Sequence, residues 1–206
     1  GTDTFVLGTA FKPGRISLSD DAVVIDSARG KDTLRDVEIV EFRGAKVSFQ
    51  VGDGGDDRLD GDANAGAYTD FLYGGGGDDR LITGQGDDML YGDGISVQVT
   101  GGDDVLRAGS GDDQLWGDGR AAPTLTGGDD TLDGGRGADI LYGDGEAYTT
   151  YSGPAVLTGG DDVLRGGDDD DVLYGDGIAT AGGYSADLTG GDDLLIGGNG
   201  DDMLWG

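Results

Sequence analysis

The chain contains no cysteine and no histidine. Those two absences exclude disulfide cross-links, zinc and haem centres of the usual kinds, and every catalytic mechanism that turns on a thiolate or an imidazole. Proline is limited to three residues and no strict Gly-X-Y triplet occurs, so a collagen helix is excluded too. Of 42 acidic residues only Glu38, Glu41 and Glu146 are glutamate. Glutamate favours helices and aspartate favours turns, so little helix is expected. Positive charge is thin: 13 Lys and Arg leave a net charge of −29. Such a chain repels nucleic acid and anionic membranes unless cations bridge the two. No apolar run approaches the roughly 18 residues of a spanning helix. What is abundant is aspartate and glycine, with 46 glycines in 206 residues, about three times the usual share.

These two residues are organised into a repeat. From Gly52 onward the chain reads as nine-residue units: a glycine-rich turn, Asp at position six, any residue, Leu at position eight, any residue. The clearest copies are Gly74–Ile82, Thr83–Tyr91, Ala108–Trp116, Gly134–Tyr142 and Gly197–Trp205. Twelve units fill Gly52 to Trp205. Position eight is always leucine: Leu59, Leu72, Leu81, Leu90, Leu106, Leu115, Leu132, Leu141, Leu164, Leu173, Leu195 and Leu204. Position six is always aspartate: Asp57, Asp70, Asp79, Asp88, Asp104, Asp113, Asp130, Asp139, Asp162, Asp171, Asp193 and Asp202.

Alternate units carry insertions that leave after Gly94, Gly119, Gly145 and Gly177 and return at Gly101, Gly127, Gly159 and Gly190. A period of two units predicts a solenoid with two short strands per coil, about six coils, and all insertions on one side. At 4.8 Å per stacked strand the stack is roughly 29 Å long. One inward leucine per unit contributes about 1.5–3 kcal/mol, against about 1–2 kcal/mol of backbone entropy for each ordered residue. Leucine alone is insufficient. The position-six aspartates fall into two files of like charge, Asp70, Asp88, Asp113, Asp139, Asp171 and Asp202 on one edge and Asp57, Asp79, Asp104, Asp130, Asp162 and Asp193 on the other. Such files repel unless cations lie between the turns, where carboxylates and turn carbonyls form the oxygen-rich environment that suits Ca²⁺. Ten such ions would bring the charge from −29 to about −9. On the insertion-bearing edge a loop interrupts the turn ahead of the position-six aspartate. Asp60-x-Asp62-x-Asn64 starts like an EF-hand loop, but Ala65 and Phe71 stand where that loop requires Gly and Glu, and it is rejected.

The units resemble the calcium-binding nonapeptide of the RTX (repeats-in-toxin) family, Gly-Gly-x-Gly-x-Asp-x-hydrophobic-x. Gly74–Ile82 and Gly197–Trp205 match it at every position. The resemblance implies an all-β, right-handed parallel β-roll, export by a one-step secretion system, and folding on extracellular calcium. Three departures stand out: a disrupted turn at Asp62 and Ala63, Asp169 in place of the fourth-position glycine, and Ala138 at the variable fifth position.

Residues 1–51 read as an N-terminal β-rich capping segment ahead of the roll at 52–206, since solenoid ends need covering. Its first residues look like half a nonapeptide, with Asp3 and Phe5 at positions six and eight, and Asp32–Glu38 is a weaker match to segments found beside such repeats. A ligand-binding head is the alternative. In the insertion-free units position nine is always aromatic: Tyr73, Tyr91, Trp116, Tyr142, Tyr174 and Trp205. This predicts either a stacked ladder that strengthens neighbouring strands or a contact surface for homo-oligomer or fibre formation or, less favoured, for carbohydrate. The repeats run to Trp205, from which a segment of a longer protein, or a unit that stacks on the next, is expected. The functional expectation is a non-enzymatic, calcium-binding structural or adhesive module of a secreted bacterial surface protein. The alternative is a non-catalytic accessory module of a secreted protease, lipase or polysaccharide-modifying enzyme.

Overall fold

The structure, a computed structural model, describes residues 4–6, 16–19, 22–27, 30–34, 39–42, 45–61, 69–149, 153–182 and 185–206. Asp3, the turn at 62–68 and the EF-hand-like positions within it lie outside them. Each unit forms one strand of about three to seven residues, bounded by glycine turns, and the described chain is all-β. The strands of the insertion-free units (Thr69–Gly75, Met89–Asp93, Gln114–Trp116, Ile140–Tyr142, Val172–Tyr174 and Met203–Trp205) stack in parallel as one wall. The alternate strands (Arg58–Asp60, Arg80–Ile82, Val105–Ser110, Thr131–Arg136, Val163–Asp168 and Leu194–Asn199) stack in parallel as the second.

Register follows the repeat without slippage. Leu72, Leu90, Leu115, Leu141, Leu173 and Leu204 align across the first wall, and Leu59, Leu81, Leu106, Leu132, Leu164 and Leu195 across the second. Because side chains alternate faces along a strand, position eight points inward. Nine of these leucines are fully buried in one continuous core, with Leu59 and Leu195 packed against it. Outside the second wall, register places Arg107 beside Asp133 and Asp133 beside Arg165, an alternation of sign that favours the pairing.

Two features go beyond two strands per coil. The insertions build a third sheet of their own from Ile95–Thr100, Arg120–Thr126, Glu146–Thr149, Ala155–Thr158, Ile178–Ala181 and Ala186–Thr189, all paired in parallel. Val99, Leu125, Ala147, Ala155 and Leu157 form a second small core there. At the N-terminal end, Ala45–Val51 adds to the first wall in register with Thr69–Gly75 and pairs antiparallel with Ile39–Phe42, which in turn pairs with Thr4–Val6. Ile16–Ser19, Ala22–Ser27 and Gly30–Leu34 make a separate antiparallel sheet.

Candidate metal centre

The candidate site grows from the turns. In Ala108–Asp113 the second and fourth glycines, Gly109 and Gly111, take φ of 130° and 138°. A Cβ on Gly111 would run into the Gly86 carbonyl of the preceding coil. Glycine therefore sets both the turn and the closeness of stacking, and close stacking brings the position-six aspartates of successive coils together.

All twelve predicted aspartates take part in two files. On the plain edge the backbone N–H of Asp70 donates to Oδ1 of Asp88 at 2.8 Å, Asp88 to Asp113 at 2.8 Å, Asp113 to Asp139 at 2.9 Å, Asp139 to Asp171 at 2.9 Å and Asp171 to Asp202 at 3.0 Å. On the insertion-bearing edge Asp57 donates to Asp79, Asp79 to Asp104, Asp104 to Asp130 and Asp130 to Asp162, each at 2.7 Å, and Asp162 to Asp193 at 3.0 Å. The insertions leave the file unbroken.

One carboxylate oxygen is thus spent on the backbone. The other has no hydrogen-bond partner at Asp79, Asp104, Asp113, Asp130, Asp139, Asp162 and Asp171, all buried to 2 % exposure or less. Burial, reinforced by neighbouring carboxylates, pushes Asp104 up to about 9, Asp113 and Asp162 to about 8, and Asp139 to about 7. Asp130 is raised well above the ordinary carboxylate range for the same reasons. Without a counter-charge these groups must hold a proton or forfeit several kcal/mol (~) each.

The unpartnered oxygens point at defined places. A Cβ on Gly92 would meet Oδ2 of Asp104 and the carbonyl of Gly117 in the next coil. Gly117 faces Asp130 Oδ2 and the Gly143 carbonyl in the same way, and Gly143 faces Asp162 Oδ2 and the Gly175 carbonyl. On the plain edge Gly134, Gly166 and Gly197 face Oδ2 of Asp139, Asp171 and Asp202. These are cradles of hard oxygen donors from adjacent coils, which fit calcium better than thiophilic or imidazole-seeking metals. Among the described residues no three acidic side chains gather about one point, so backbone carbonyls must supply much of any coordination shell.

Two further files escape the nonapeptide reading. The position-five aspartates make the reverse bond on the exposed surface, each N–H donating to the carboxylate of the preceding coil: Asp78 to Asp56, Asp103 to Asp78, Asp129 to Asp103, Asp161 to Asp129 and Asp192 to Asp161. The second comprises Asp93, Asp118, Asp144 and Asp176, at the base of each insertion. Its signal was visible as Gly-Asp-Gly before every insertion and Gly-Gly-Asp-Asp after it.

The six aromatic residues form a continuous stack. Ring centroids are 4.8 Å apart for Tyr73–Tyr91, 4.5 Å for Tyr91–Trp116, 5.6 Å for Trp116–Tyr142, 4.8 Å for Tyr142–Tyr174 and 4.7 Å for Tyr174–Trp205. Tyr73 and Tyr91 are buried, and burial pushes the Tyr91 hydroxyl up to about 12. Trp116, Tyr142 and Tyr174 are half-buried and Trp205 is exposed. Arg120, at the start of the second insertion, pairs with Glu146 at 2.7 Å and lies over the Tyr148 ring.

A family model described as the RTX calcium-binding nonapeptide repeat (4 copies) matches residues 64–94, 96–119, 125–148, 156–177 and 187–206. No curated protein matches the chain.

Proposed function

The chain belongs to the RTX calcium-binding nonapeptide repeat family, and from that premise we propose that it is a calcium-folded structural module in which ions held by the twelve position-six aspartates join each coil to the next. The family is one of proteins that are typically secreted, and among the described residues no helix is long and apolar enough to cross a membrane. The observation that carries the proposal is the run of buried carboxylate oxygens without hydrogen-bond partners at Asp79, Asp104, Asp130 and Asp162 on one edge and at Asp113, Asp139 and Asp171 on the other. Six turns per edge leave room for up to about ten ions between coils.

In this reading the chain stays unfolded and exportable at cytosolic calcium and folds on reaching millimolar calcium outside the cell, since binding free energy becomes folding free energy. Residues 1–51 cap the first coil, in keeping with the way Ala45–Val51 continues the first wall. The roll then serves as a rigid spacer or adhesive segment of a bacterial surface protein. The half-buried, stacked rings of the first wall favour a strengthening role over carbohydrate contact, and self-association is the second use open to that face. The alternative setting, beside the catalytic domain of a secreted enzyme, uses the same module, and the flanking sequence of the full gene distinguishes the two.

Circular dichroism with calcium titration tests the core of the proposal. The expected result is a disordered spectrum in chelator that converts cooperatively to a β spectrum as calcium is added. A chain fully folded in excess chelator would overturn it.

A further inference from the structure

We propose that Asp93, Asp118, Asp144 and Asp176 form a second set of calcium sites at the mouths of the insertions, distinct from the position-six files and shared between successive coils. These residues occupy position two, where the nonapeptide has glycine, in each of the four units whose insertions leave after Gly94, Gly119, Gly145 and Gly177; Asp53 holds the same position in the uninterrupted unit Gly52–Asp60. Asp93, Asp118 and Asp144 are 0 % exposed.

One oxygen of each closes its own loop. Asp93 Oδ2 accepts the N–H of Gly102 at 3.3 Å, Asp118 Oδ1 that of Gly128 at 3.4 Å, Asp144 Oδ1 that of Gly160 at 3.1 Å and Asp176 Oδ1 that of Gly191 at 3.2 Å. A loop clasp needs no more than that, and an asparagine would serve. The second oxygen is what a clasp leaves unexplained. Asp93 Oδ1, Asp118 Oδ2 and Asp144 Oδ2 are buried with no hydrogen-bond partner.

The carboxyls also converge between coils on the glycines where the insertions return. A Cβ on Gly101 would meet both Asp93 and Asp118, one on Gly127 both Asp118 and Asp144, and one on Gly159 both Asp144 and Asp176. The Asp118 carboxyl lies within hydrogen-bonding reach of those of Asp93 and Asp144. Buried acceptors facing acceptors require a cation between them or shared protons. Paired carboxylates beside glycine backbone give the all-oxygen donor set of a divalent hard cation. Three sites follow, Asp93/Asp118, Asp118/Asp144 and Asp144/Asp176, and each ties one insertion to the next, so the third sheet orders with calcium as the roll does.

This inference rests on the reading of the roll as calcium-bound, and the test separates the two. Native mass spectrometry of the whole chain, with calcium as the only added metal, counts bound ions in the wild type and in Asp118→Asn, Asp176→Asn and Asp130→Asn. Asparagine keeps the size and the acceptor oxygen and removes the charge. The expected result is two fewer ions for Asp118→Asn, which takes part in two sites, and one fewer for Asp176→Asn, with the β spectrum of the roll retained. An unchanged count in both, while Asp130→Asn loses ions, would overturn the second set and leave the roll reading standing. A wild-type chain that binds no calcium would overturn both. If Asp118→Asn fails to fold, the end-of-file variant Asp176→Asn still decides, since it touches one site alone.

Discussion

The two edges of the roll carry the same file of aspartates, yet one of them also passes a loop of seven or more residues through four of its six turns. From Asp88 onward the plain edge turns within six residues. The insertion-bearing edge splits its turn at the third position and resumes after Gly101, Gly127, Gly159 or Gly190. The bonds from one position-six amide to the next carboxylate are nonetheless 2.7–3.0 Å on that edge and 2.8–3.0 Å on the plain one. Coil stacking therefore depends on the half-turn that follows the insertion, where Gly-Asp-Asp leads into the strand, and not on an intact six-residue turn. What the insertion adds is charge: Asp93, Asp118 and Asp144 raise the demand for cations beside Asp104, Asp130 and Asp162.

The largest expected effect comes from removing a position-six carboxylate on either edge. Asp130→Ala and Asp139→Ala each delete an amide acceptor and a cation ligand, and each should cost about 3 kcal/mol or more in saturating calcium, read by urea denaturation. Near-equal losses would support the equivalence of the edges, and a negligible loss at Asp130 would break it. Next in size are the two cores. Leu132→Ala empties a fully buried position in the main core and should cost about 2–5 kcal/mol. Leu125→Ala, in the core of the third sheet, should cost about 2–3 kcal/mol. Hydrogen exchange is expected to show its effect confined to the insertions.

A pH series sharpens the electrostatic side of the comparison. The position-six carboxyls have folded values raised to about 6 at Asp79 and Asp171, about 7 at Asp139, about 8 at Asp113 and Asp162 and about 9 at Asp104. A value raised in the folded state means that folding favours the protonated form. Stability from these groups is therefore fully present below the unfolded value near 3.8 and is lost as pH rises through about 6 to 9. The metal-free chain should gain β structure on acidification, and the calcium-bound chain should show the opposite slope because protons compete with the ion. Circular dichroism at pH 5 and pH 8.5 on dialysed protein checks both signs, and a metal-free chain that orders as pH rises would contradict them.

The smallest effect concerns a single turn on the plain edge. Asp169 stands at the fourth position of its unit and takes φ of 83°, the positive value that Gly111 and Gly137 take in their units. Asp169→Gly should stabilise the roll by up to about 1 kcal/mol, since aspartate pays a steric penalty there that glycine avoids. A shift of the calcium-bound melting temperature checks it.

Much of this architecture was legible because a nine-residue period leaves little freedom. Leu72, Leu90 and Leu115 align as the repeat requires, and the twelve aspartates fall into the two expected files. The third sheet was not legible as structure. Its strands differ in length and composition, and only their ends repeat, with Val99-Thr100, Leu125-Thr126, Leu157-Thr158 and Leu188-Thr189 before each Gly-Gly. Stacking of the host coils, not local propensity, makes parallel partners of these loops. Asp93, Asp118, Asp144 and Asp176 went unread for a related reason. The nonapeptide pattern assigns glycine to position two, and a departure that recurs before each of the four insertions is visible once the coils are superposed.

The most direct measurement is anomalous diffraction from crystals grown in saturating calcium. The account predicts peaks between successive turns, about 2.3–2.6 Å from the otherwise unpartnered oxygens of Asp104, Asp113, Asp130 and Asp139. Coils stacked as described with no anomalous density beside those oxygens would contradict it.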